Sequence, residues 1–223
     1  MKSNTVHYDG VDITIETPTI GIYMSGGADS TLLYYMLAKQ IVEQGLNTKI
    51  IVATVRRPRP WNPAYAERVF NHINKKLDFR RGTLLKYYPE IGTEELDEYA
   101  NGSYFHDVNN ILFNEKHIMC LYSGITANPP QGEIEVSTEP KREVTEEPKP
   151  TYFGKPHRAF RNPFININKK WVAKQYAHFD ITDDIFPLTR SCEGTDAESY
   201  NYLKHCGTCW WCQERMWAFG RYE

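Results

Sequence analysis

Long apolar runs are missing from this sequence. No stretch approaches the roughly 18–20 apolar residues that a membrane helix needs. The opening residues, MKSNTVHYDGVDITIE, hold no apolar export core, so the expected protein is soluble and cytoplasmic, with no membrane partner. An excess of one charge is missing too. Lys and Arg number 26 and Asp and Glu 28, a formal charge of −2, which argues against a dedicated duplex-DNA binder. The hydrolase patterns G-x-S-x-G and H-E-x2-H are absent, as is the Walker phosphate loop. Cysteine is scarce: there are five, and four of them lie beyond position 190. What remains is an ordinary globular composition, 41% hydrophobic and 24% charged, on 223 residues, enough for one domain with a sizeable core.

The pattern along the chain alternates strands and helices. VHYDGVDITIE alternates apolar and polar residues around Asp9-Gly10, a β-hairpin signal. Thr19–Met24 reads as a buried strand and leads into SGGADS. STLLYYMLAKQIVEQG repeats apolar residues at helical spacing and ends at Gly45. Lys49–Val55 reads as a second buried strand, Arg56–Pro63 as a proline-rich loop, and AYAERVFNHINKKL as a second helix. Further strands are expected at Thr83–Tyr88 and His117–Thr126, with a helical or irregular region between them, and a helix from about Asn168. Residues 128–150 are rich in Pro, Glu and Lys and read as an exposed excursion. This is the order of an α/β fold: a mainly parallel sheet with helices on both faces, preceded by a hairpin. Residues 1–190 are expected to form the α/β domain and 191–223 a cysteine-rich tail packed on it.

Ser25-Gly26-Gly27-Ala28-Asp29-Ser30 lies between a strand and an amphipathic helix. Its glycines permit a turn and let amides approach a ligand. The helix start adds unpaired N–H groups and a positive dipole end, and the serines add hydroxyls. Together they read as a phosphate cradle. Arg56, Arg57 and Arg59 follow the second strand on the ligand-binding edge of such a sheet; Arg57 is taken as a candidate phosphate or carboxylate contact.

Cys206, Cys209 and Cys212 are spaced C-x2-C-x2-C, and Cys192, 14 positions earlier, can supply a fourth thiolate. Four cysteines with no open position suggest a closed, structural zinc site. An iron–sulfur cluster and packed free thiols are the alternatives. Trp210, Trp211 and Trp217 are expected to pack around this knuckle.

SGGADS resembles the pyrophosphate loop of the N-type PP-loop ATP pyrophosphatases, which split ATP into AMP and pyrophosphate and adenylate a substrate oxygen. The resemblance implies an adenine nucleotide α hydrolase-like, Rossmann-like fold. It implies that Ser25, Gly26, Gly27, Ala28, Asp29 and Ser30 bind the ATP phosphates, with Asp29 helping to hold Mg2+. It places Thr54 beside the adenine. With Asn162-Pro163-Phe164, Asn168-Lys169, Leu188-Thr189-Arg190-Ser191-Cys192 and Cys206-Gly207-x-Cys209-x2-Cys212-x2-Arg215, the chain is similar to the 7-cyano-7-deazaguanine synthase family. That likeness implies catalytic roles for Ser25, Asp29, Ser30 and Lys169 and the cofactors ATP, Mg2+ and Zn2+. The implied substrates are 7-carboxy-7-deazaguanine and ammonia, with a homodimeric assembly and no nucleic acid. The stretch Arg56-Arg57-Pro58-Arg59-Pro60-Trp61 departs from the family's substrate-side pattern. Adenylation of a tRNA base, reduction of a sulfonucleotide, and a silent nucleotide-binding zinc module therefore stay open.

Overall fold

A computed structural model of the chain describes residues 4–56, 62–88, 103–134, 142, 151–152, 158–195, 198 and 203–223. The hairpin comes first, β1 (Thr5–Tyr8) and β2 (Val11–Thr14), paired antiparallel. Asp9 and Gly10 have φ of 44° and 87°, the two left-handed residues that a tight twisted hairpin turn requires. Alternation sends Val11 and Ile13 into the core. Trp171 Nε1 donates to the Asp9 carbonyl at 3.0 Å, which ties the turn to a later helix.

The main sheet holds β3 (Thr19–Tyr23), β4 (Lys49–Val55), β5 (Gly82–Tyr87), β6 (Cys120–Tyr122), β7 (Thr151–Tyr152) and β8 (Ala159–Arg161). Their order is β5-β4-β3-β6-β8-β7. Every pairing is parallel except β7 with β8. The chain winds β3-β4-β5 to one side, then returns to place β6 on the other side of β3. The carboxyl ends of β3 and β6 therefore part at a topological switch point, where α/β sheets open a binding crevice.

Helices α1 (Ala28–Gln44), α2 (Asn62–Leu77), α4 (Lys169–His178) and α5 (Trp210–Phe219) belong to one face. Helix α3 (Ser103–Asn110), continued by a π turn at Ile111–Glu115, covers the other. Leu32, Leu33, Met36 and Leu37 of α1 are wholly buried with Ile20, Ile22, Ile50 and Val52 of the sheet. Each such side chain contributes roughly 1.5–3 kcal/mol of burial. Gly45, at φ 65°, closes α1 as the sequence signals. Asn168 caps α4, its side chain accepting from the Lys170 N–H at 3.1 Å.

Two expectations change. The strand expected over His117–Thr126 is confined to Cys120–Tyr122. His117, at φ 54°, still belongs to the turn, and Gly124 must leave the sheet because it presses on the start of α1. A Cβ at Gly124 would lie 2.9 Å from Ser30 Cα. The excursion expected at 128–150 is not solvated throughout. Arg142 within it is only 8% exposed and turns into the site described next.

Candidate functional site

β3 ends at Tyr23 and the chain enters the Ser25–Ser30 loop at the switch point. Gly26 has φ 82°, and a Cβ there would meet Ala66 N at 2.7 Å and the Tyr65 side chain. Only glycine lets the loop lie against the first turns of α2. Gly27 is the N-cap of α1 and has no side-chain cap, so the helix's first amides are left without side-chain acceptors. Ser25 Oγ and Ser30 Oγ stand 3.3 Å apart, and Gly27 N–H donates to Ser25 Oγ at 3.2 Å. Ala28 is wholly buried, so it can offer only its backbone. Thr54, at the neighbouring strand end, is 1% exposed, and its Oγ1 has no hydrogen-bond partner. Arg57 and Arg59 lie outside the described residues, and Arg56 is exposed at this edge.

Lys169 comes to the same place from the first turn of α4. It is 1% exposed, with Nζ 3.1 Å from Asp29 Oδ2 and 2.6 Å from Glu214 Oε2. Glu214 is fully buried and also takes Arg142 as a forked partner, at 2.5 Å to Oε1 and 3.1 Å to Oε2. Arg142 bonds the Thr126 hydroxyl and the Ala127 carbonyl, each at 3.2 Å, and lies 5.0 Å from the Trp211 ring. Burial opposes the charge on Lys169, yet Asp29 and Glu214 hold its pKa above the ordinary lysine value. Burial likewise opposes the charge on Glu214, but Lys169 and Arg142 keep it below the usual carboxylate range. Burial pushes Asp29 up. Its Oδ1 is buried and accepts no hydrogen bond, an unpaired acceptor of the kind that suits a cation such as Mg2+.

The sulfurs of Cys192, Cys206, Cys209 and Cys212 all lie within 4.8 Å of one another. Those of Cys206 and Cys212 are 3.9 Å apart. Thiolates bound at about 2.3 Å to one tetrahedral ion stand about 3.8 Å apart, so the cage fits a single thiolate-preferring ion. A cubane of irons and sulfides would force the four thiolates wider. The N–H groups of Gly194, Cys206 and Cys209 donate to cysteine sulfurs at 3.3 Å, which suits thiolate charge. His205 Nδ1 sits 3.6 Å from Cys212 Sγ, and its ring stacks on Tyr222. Trp210 is buried, Trp211 lies beneath Arg142, and Trp217 donates to Glu133 at 2.6 Å.

The cage and the loop are mechanically joined. Arg190, two residues before Cys192, donates its backbone N–H to the Gly26 carbonyl at 2.8 Å. Its guanidinium bonds the Lys204 carbonyl at 2.6 Å, close to Cys206. Arg215, wholly buried, binds Thr189 Oγ1 at 2.8 Å and the Phe186 carbonyl at 3.1 Å, so α5 holds this segment against the loop.

The chain thus has an α/β, adenine nucleotide α hydrolase-like fold, with a glycine loop at the switch point and a four-cysteine cage behind it. No protein-family model matches the sequence, and no curated protein does. Among solved structures it is similar to the "U34-tRNA thiolase NcsA from Methanococcus maripaludis with its [4Fe-4S] cluster". The two share 12% identity and a TM-score of 0.51 over 92% of this chain and 70% of that one. At that identity the likeness shows the fold. Among the described residues no helix is long and apolar enough to cross a membrane.

Of the residues singled out from the sequence, the structure brings Lys169 to Asp29 of the Ser25–Ser30 loop and the four cysteines to one another, and Thr54 stands on the strand beside β3. Sequence reasoning missed Glu214 and Arg142. Glu214 did carry a signal: an acid between Cys212 and the apolar end of α5, on a helix with aromatic residues all round. Arg142 carried none, since its neighbours read as solvated.

Proposed function

We propose that this chain is an ATP-splitting enzyme of the PP-loop kind that adenylates an oxygen on a base of tRNA. The observation that carries the reading is the glycine loop with Asp29 and Lys169 at the switch point of a parallel sheet. The substrate oxygen attacks the α-phosphorus, the bond from that phosphorus to the bridging oxygen breaks, and pyrophosphate leaves. The amides of the loop and the Ser25 and Ser30 hydroxyls, 3.3 Å apart, would take the growing charge on pyrophosphate, and the buried Thr54 would stand beside the adenine. Asp29 Oδ1 would help hold Mg2+, which neutralises phosphate charge when bound. Cys192, Cys206, Cys209 and Cys212 would hold one structural Zn2+.

The choice of tRNA rests on the fold neighbour being a tRNA thiolase, and the arginine-rich stretch opening at Arg56 suits a polyanion. A second reading, conversion of 7-carboxy-7-deazaguanine with ammonia to the nitrile, draws support from Lys169, which pairs with Asp29, and from the LTRSC segment, whose Arg190 N–H bonds the Gly26 carbonyl.

A mass-resolved assay tests both. The purified chain receives ATP, Mg2+ and ammonium with either tRNA or 7-carboxy-7-deazaguanine. AMP together with altered tRNA supports the first reading; AMP with an amide or nitrile product moves the assignment to the second. No AMP with either overturns the ATP-splitting reading. Asp29→Ala is expected to lower pyrophosphate release by about 100-fold or more, the scale of losing a group that acts at the transition state. Unaltered turnover in that variant would remove Asp29 from the site.

A further inference from the structure

The Asp29–Lys169–Glu214–Arg142 cluster contains two acids and two bases, and its distances are unequal. Lys169 Nζ is 2.6 Å from Glu214 but 3.1 Å from Asp29. Glu214 uses both oxygens on cations and is fully buried, while Asp29 keeps Oδ1 without a partner and is a fifth exposed. We propose that Glu214 is a positioning residue: it draws Lys169 away from Asp29 and so keeps an Asp29 oxygen open to the cation that accompanies ATP.

The physical argument is one of competition. A buried ammonium needs a counter-charge. With Glu214 present it has a nearer one than Asp29. Without the Glu214 charge, Lys169 would settle on Asp29, and a divalent cation would then have to displace it. Arg142 fixes Glu214 in turn: its fork holds both carboxylate oxygens, and its contacts with Thr126 and Ala127 anchor that fork behind β6. The cysteine cage sets where the carboxylate stands. Cys209 is the N-cap of α5 and Cys212 lies in its first turn, so Glu214 is held two residues from a ligand of the cage. This spacing would make the charge balance at the loop depend on a helix whose start is fixed by the cage once a metal is bound.

The inference rests on the ATP reading above, and its test separates the two. Glu214→Gln alone would leave Arg142 and Lys169 with one carboxylate between them, a buried charge imbalance that threatens the fold, so the working variant is R142M/E214Q, which removes one charge of each sign. Equilibrium ATP binding is titrated against Mg2+ for wild type and variant, with metal content and Tm measured alongside. The expected result is unchanged metal content and a Mg2+ midpoint raised about tenfold or more, with ATP affinity recovering at saturating Mg2+. A purely structural role would lower Tm and leave the Mg2+ midpoint in place. A midpoint within about twofold of wild type overturns the proposal while leaving the ATP reading intact. Wild type that binds no ATP at any Mg2+ concentration overturns both.

Discussion

At the scale of single residues, the two loop glycines do different work. Gly26 is required by conformation and by space: φ is 82°, and an added Cβ would be 2.7 Å from both the Ala66 backbone nitrogen and Tyr65 Cβ. Gly27 is at φ −78°, and the nearest atoms to its added Cβ would be the Ser25 and Ser191 hydroxyls at 3.3 and 3.4 Å and the Arg190 carbonyl at 3.5 Å. Hydroxyls can rotate away; a helix backbone cannot. Gly26→Ala is therefore expected to cost about 1–3 kcal/mol, a fall in Tm of roughly 2–12 °C for a domain of this size. Gly27→Ala should keep the wild-type Tm within about 2 °C. Thermal melts of the two variants check this, and equal losses would show that the loop's contact with α2 is not the constraint. The sequence made both glycines visible as a loop but could not rank them, because the ranking depends on α2, some 40 residues on.

At the scale of elements, the cysteine knuckle acts on the loop through α5 and the segment before Cys192. The cage brings four thiols within 4.8 Å, a crowding that thiolates tolerate only around a cation. α5 begins at that cage and carries Glu214 and Arg215, both wholly buried, into contact with Lys169 and Thr189. Chelation of the metal is expected to lower Tm and abolish ATP binding together, and returning Zn2+ should restore both. Elemental analysis should find one zinc per chain. Visible absorption from an iron–sulfur cluster in the purified protein would overturn the zinc assignment. Local pattern was enough for most elements here. Lys49–Val55 was readable as a strand, the region of Asn168 as a helix start and Gly45 as a stop, since each depends on neighbours in sequence. The ends of β6 were not readable, because Gly124 leaves the sheet to meet α1, a contact made only in the folded chain. The same limit hid the Glu214–Arg142 fork, which joins residues 72 positions apart.

At the scale of the whole molecule, α2 is a brace between the loop and the far end of the helical layer. Its first turns press on Gly26, and its last turns are pinned by Asp184, in the segment after α4. Asp184 accepts from His72 Nε2 at 2.6 Å and pairs with Lys76 Nζ at 2.8 Å, using one oxygen for each. Partial burial would raise the Asp184 pKa, but Lys76 and His72 outweigh it and hold the carboxyl below its ordinary value. A carboxylate depressed in the folded state adds stability above its unfolded pKa of about 3.9 and loses it as pH falls through the folded value. All three side chains are about a third exposed, so water and salt screen the pairs and the contribution stays near or below about 1 kcal/mol. Asp184→Asn should therefore lower Tm by about 2–4 °C at pH 7, and the gap from wild type should narrow steadily as pH falls below about 4. Added salt at pH 7 should shrink it as well. ATP affinity should not change, because the brace ends away from the phosphate cradle. A gap that neither narrows with acid nor shrinks with salt would mean that Asp184 acts through packing rather than charge, and altered ATP affinity would mean that α2 transmits its far end to the loop.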